Sequence, residues 1–97
     1  MARHGKEPEA QEQLVTARTA FVNLMKRNPD AGFYERKLVR VIAAQADLHR
    51  QHGERVSACV DYRDALEMAI RLRASGRLRA EDKDEPERFQ KELAGCR

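Results

Sequence analysis

Sliding the chain against itself by 41 residues lays Val15, Thr16, Ala17 and Phe21 on Val56, Ser57, Ala58 and Tyr62. Small and aromatic positions recur in the same order, hydroxyl on hydroxyl and alanine on alanine. A repeat with a period of about 20–50 residues implies stacked helix pairs. A small residue lets a neighbouring helix approach closely, and an aromatic one turn later fills the space beside it.

The rest of the pattern is helical too. A first helix is expected from Pro8 to Arg27, with Leu14, Ala17, Phe21, Leu24 and Met25 on one stripe. Asn28-Pro29 stops it, because proline disfavours a helical residue before it and has no backbone donor. Asp30 is the expected cap of a second helix carrying Phe33, Tyr34, Leu38, Ile42, Ala46 and Leu48, which Gly53 ends. A third spans Glu54 to Ala74, with Ala58, Tyr62, Ala65, Leu66, Ala69 and Leu72 inward, and Gly76 ends it. Asp84-Glu85-Pro86 offers a cap and an N1 proline for a last short helix that turns Phe89 and Leu93 inward. No stretch alternates as a strand does. The expected fold is all-α, antiparallel helical hairpins of about four helices: a flexible leader over 1–7, repeats over 8–75, and a linker and capping helix over 76–97.

Residues 53–66, G-E-R-V-S-A-C-V-D-Y-R-D-A-L, resemble the turn and second helix of a tetratricopeptide repeat. Gly53 is similar to the turn glycine of that family, and Ala58, Tyr62 and Ala65 to its small, aromatic and small positions. Ala17, Phe21 and Pro29 resemble the same positions of the unit before, with Leu24 in place of the second small residue. Ala46 fits the small position of the intervening helix, but Gln45 and His49 stand where leucine and tyrosine are usual, and Ile70 where a proline is. The spacing is also longer than the family's usual period of about 34. The resemblance covers roughly residues 13–75. The tail, from D-Y-R-D-A-L-E-M to K-E-L-A-G-C-R, more faintly resembles the ends of repeat regions on bacterial sensor proteins and kinases. What the family implies is a non-catalytic scaffold that binds a peptide or a partner protein on a helical groove, with no cofactor.

Charge bears on the rival readings. Nineteen Lys and Arg against sixteen Asp and Glu give +3. Arg71, Arg73, Arg77 and Arg79 are followed at once by Glu81, Asp82, Asp84, Glu85 and Glu87, so the densest basic stretch is neutralised within about a Debye length of 8–10 Å. A nucleic-acid surface would keep one sign along a face. A small basic helix-turn-helix-like protein is the alternative function, on the helix–glycine turn–helix outline around Gly53. Against it, His49 stands where that motif wants a small residue, and Asp61, Asp64 and Glu67 would repel phosphates. An obligate subunit of a larger assembly is a third class.

No G-x-S-x-G, H-E-x-x-H or glycine-rich phosphate loop occurs, and nothing sets a base beside Cys59, so catalysis is not expected. His49, His52 and Cys59 lack the fixed spacing of zinc motifs, so no metal site is assigned and His49 is read as a packed core residue. No apolar run reaches the roughly 20 residues of a membrane span.

Arg36, Arg40, Asp47 and Arg50 recur at helical steps on a side distinct from Ile42, Ala46 and His49. They are the candidate partner-binding residues, since a guanidinium fork suits an acidic peptide; ordinary solvated arginines are the other reading. Ala17, Phe21, Ala58, Tyr62 and Ala65 are the candidate packing residues of the repeat. Cys59 and Cys96 come to a similar level if the last two helices pack antiparallel, as helical rise allows. A bridge and two reduced thiols both stay open, because compartment decides which persists. The opening MARHGKEPEA has no apolar stretch behind it, an expectation of cytoplasmic residence; an oxidised bridge would point to a segment of a longer extracytoplasmic protein. Such arrays usually need about three repeats to stand alone, so self-association or a longer parent chain is expected.

Overall fold

The computed structural model describes residues 2–28 and 32–96, with side chains from Glu9 onward. Four α-helices account for most of it: α1 (Ala2–Arg27), α2 (Gly32–Gln51), α3 (Arg55–Ala74) and α4 (Glu85–Ala94), with a 3₁₀ turn at Ala80–Asp82 before α4. Among the described residues there is no strand, and the fold is all-α. No helix among them is long and apolar enough to cross a membrane.

Consecutive helices form antiparallel hairpins. Phe21 near the end of α1 meets Tyr34 at the start of α2, and Arg73 near the end of α3 meets Glu87 in the first turn of α4. Both observed hairpin turns follow from glycine. Gly53 and Gly76 have φ of 76° and 73°, a left-handed conformation that other residues adopt only at a cost. At each, the next residue's N–H reaches back five positions, Glu54 to His49 and Arg77 to Leu72, both at 2.8 Å. That bond, with the glycine's own to Arg50 or Arg73, satisfies carbonyls the helix end would orphan.

The core lies between α2, α3 and α4: Leu38, Val39, Ile42, Ala43 and Ala46 meet Ala58, Tyr62, Ala65, Met68, Ala69 and Leu72, with Phe89 fully buried. Alanines at 46, 65 and 69 have no exposure at all, which marks the closest helix approach. α1 lies against this layer through Phe21, Val22 and Met25, and none of its described side chains is fully buried.

Several boundaries differ from the sequence reading. α1 begins at Ala2 and runs through Pro8, whereas the leader was expected to be flexible; proline removes one backbone bond but keeps a helical φ. Pro29 and the expected cap Asp30 lie outside the described residues. Asp84 is the residue before α4, but its side chain makes no capping bond, and Pro86 sits one place further in than expected. Phe33, one of the apolar positions of α2, is 52% exposed, lying edge-on to Tyr34 with the Lys37 ammonium 5.4 Å from its ring centre.

Candidate functional site

The four residues expected to face a partner are turned to the chain's own C-terminal segment. Arg36 donates to the Arg77 carbonyl at 3.0 Å, and Arg40 Nη2 lies 3.1 and 3.2 Å from the two Asp82 carboxylate oxygens. Arg50 pairs with Glu92 at 3.2 Å. Asp47 accepts from Arg88 at 2.8 and 3.0 Å and from the Tyr62 hydroxyl. One edge of α2 is thus matched, residue by residue, to the segment from Arg77 to Glu92. Burial, then the hydrogen bond to Asp47 and the nearby Glu92, push the Tyr62 phenol well above its ordinary range, so it stays a donor.

The bottom edge of this arrangement is covalent. Cys59, one turn into α3, is joined to Cys96, just beyond α4, with 6.0 Å between their Cα atoms. Both residues are half-buried and line an open-mouthed cavity of about 260 Å³ together with Arg50, Arg55 and Glu92.

The packing positions of the repeat divide by unit. Ala58, Tyr62 and Ala65 are 3%, 2% and 0% exposed, whereas Ala17 and Phe21 are half-buried. Ala17 lies in a broad, shallow hollow along α1 with Gln13, Thr16 and Ala20. Shifted by 41, these four correspond to Glu54, just before α3, and to Ser57, Ala58 and Asp61 of α3.

A second cluster, at the junction of α1, α2 and α3, has no counterpart in the sequence reading. Arg18 of α1 donates to Gln45 at 2.9 Å, Asp61 at 3.1 Å and Asp64 at 3.2 Å. Gln45 and Asp61 are buried, at 4% and 8% exposure, so both need such partners. His49 is half-buried at the cluster's rim, its Nδ1 2.9 Å from Glu54 and its Nε2 3.6 Å from Asp61. It is a polar edge residue rather than the packed core histidine expected. Asp61 likewise faces inward rather than the solvent. The available signal was the pairing of two oddities, a glutamine on the apolar stripe of α2 and an arginine beside the apolar stripe of α1.

Among the described residues no group of three or more His, Cys, Asp or Glu could hold a metal ion. What the geometry offers is surface: an uncovered helix face on α1, and a charged edge of α2 covered by α4. No family model, curated protein or solved structure matches this chain.

Proposed function

We propose that the chain is a non-catalytic protein-interaction module of tetratricopeptide type, receiving a helix of a partner protein on the outer face of α1. One observation carries the reading. Ala17 and Ala20, in the open hollow on α1, are the repeat counterparts of Ala58 and Asp61, which are buried on α3; Gln13 and Thr16 of the hollow match the exposed Glu54 and Ser57. A surface with the pattern of a helix-packing face, left without a helix, is the kind of surface that helix-in-groove recognition uses. Ala17 and Ala20 allow a close approach, and Glu9 and Glu12 at the edge favour a partner with basic flanks.

Ala17→Glu with Ala20→Glu tests it. Both sites are helical and incompletely buried, so far-UV dichroism and the melting temperature stay close to the parent while the capture of partners is lost. An unchanged partner profile in that variant would remove the face. Nucleic-acid binding is the second reading, carried only by the basic balance. It predicts retention on DNA that survives moderate salt, whereas the interaction reading expects weak retention lost there.

A further inference from the structure

We infer that α4 is an intramolecular occupant of a second docking groove, and that reduction of the Cys59–Cys96 bridge opens this groove to an acidic helix bearing an aromatic anchor. The inference rests on the chain being an interaction module, but it concerns a different surface from the α1 face.

The groove is the channel between α2 and α3. Its floor is Tyr62 and Leu72 and its wall the arginine edge of α2. Its occupant is defined by what fills it now. Phe89 drops in with no exposure, 6.3 Å ring to ring from Tyr62, while Asp82 and Glu92 answer Arg40 and Arg50. That is a recognition pattern of one aromatic anchor flanked by carboxylates matched to guanidinium groups.

Besides the buried Phe89 and Pro86, α4 is held at its edges by charge pairs, Arg88 with Asp47 at 2.8 Å and Glu92 with Arg50 at 3.2 Å. At ten residues it is shorter than the roughly 12–15 at which an isolated helix becomes even marginal in water. The arginines that grip the segment are largely solvated, Arg40 and Arg50 being 50% and 57% exposed, and exposed pairs of this kind contribute little. The stretch from Ser75 to Asp84 has only one 3₁₀ turn of regular structure. The bridge therefore sets the local concentration of α4 at its groove, and the cavity leaves both cysteines within reach of a reductant.

The chemistry needs a dithiol, of protein or small-molecule type. Its thiolate attacks Cys96 Sγ, forming a mixed disulfide as the Cys59–Cys96 bond breaks and Cys59 leaves as thiolate. The second sulfur of the dithiol then attacks the mixed disulfide and releases Cys96. The dithiol gives up two electrons and becomes a disulfide; both cysteines take up protons and become thiols.

The test uses the full chain, oxidised and reduced, with Cys59→Ser combined with Cys96→Ser as a form that reductant cannot change. The probe is a labelled peptide of residues 80–95, which carries the acidic groups and Phe89 but no cysteine. On reduction, amide exchange over 85–96 should rise at least tenfold while α2 and α3 stay protected, and the peptide should bind at least tenfold more tightly than to the oxidised chain. The double serine variant should bind it with or without reductant, and a peptide with Phe89→Ala should bind neither form. Equal exchange over α4 in both states, or equal peptide binding, overturns the inference. So does loss of helicity throughout the chain on reduction, because the bridge would then be a staple of the whole fold. The exchange arm involves no partner, so it stands or falls apart from the α1 reading.

Discussion

Replacing Arg18 by Met tests the three-helix junction directly, because the methionine keeps most of the aliphatic stem and removes only the charged fork. Three bonds go at once. The one to Asp64 counts for little, since that carboxylate is 42% exposed in its side chain. The ones to Gln45 and Asp61 matter, because both acceptors are buried, and the other ring or charged nitrogen near Asp61 is His49 Nε2, 3.6 Å away. Stripping the partner from a fully buried charge costs about 3–5 kcal/mol. Arg18 itself is 31% exposed, so water reaches the site and the loss falls to about 2–3 kcal/mol. For a chain this size that lowers the melting temperature by roughly 10–20 °C.

The diagnostic result is the recovery. Asp61→Ala places at 61 the residue found at the corresponding position 20, and in the Arg18→Met background it removes the stranded anion. Replacing both partners of a buried pair is often close to neutral, so the double variant should be more stable than Arg18→Met alone, with a coupling of about 1–2 kcal/mol. Thermal and urea denaturation of the four proteins close the cycle. Additivity to within about 0.5 kcal/mol would refute the reasoning and mean that the two residues do not share an energetic contact.

Ala65→Leu should destabilise by roughly 1–3 kcal/mol, since Ala65 has no exposure and three more carbons would overpack the helix contact it makes; an unchanged melting temperature would deny the close approach. Cys59→Ser with Cys96→Ser releases a loop of 37 residues, worth about 4 kcal/mol in the chain-entropy model, and should lower the urea midpoint of the oxidised protein accordingly. Tyr62 has a raised phenol pKa in the folded state, so its contribution is present at neutral pH and is lost as pH climbs past about 10, where the unfolded chain's tyrosine ionises first. The stability of the parent should therefore fall more steeply above pH 10 than that of Tyr62→Phe; parallel curves would contradict it.

How much of this could be read in the residues divides along a physical line. Helix number and the stops at Gly53 and Gly76 were legible because periodicity and glycine conformation are local properties. So was the inward set of α3, where Ala58, Tyr62, Ala65 and Leu72 are all buried. The faces of α1 and the charged side of α2 were less legible, since which side of a helix meets water depends on what packs there. The arginines of α2 look identical in sequence whether they await a partner or hold Asp82 and Glu92. Asp61 carries the same ambiguity: its place on α3 is plain, its burial depends on Arg18, 43 residues earlier.

These two polar assemblies also account for the polar residues of α2. Gln45 supplies Arg18 with a buried acceptor, and the two ring nitrogens of His49 lie near Glu54 and Asp61. Both residues are thus tied to α1: once an arginine enters the junction, the positions facing it gain by turning polar together. The opposite edge of α2 follows the same rule with α4, through Arg40, Asp47 and Arg50. One helix therefore presents an apolar stripe to α3 between two polar edges, each matched to a different neighbour. An apolar contact alone would allow α1 or α4 to slide along its axis, because hydrophobic burial is non-directional. The fork of Arg18 and the ladder from Arg40 to Arg50 fix that register, and it is the ladder, repeated on a partner's helix, that would give the groove beneath α4 its specificity.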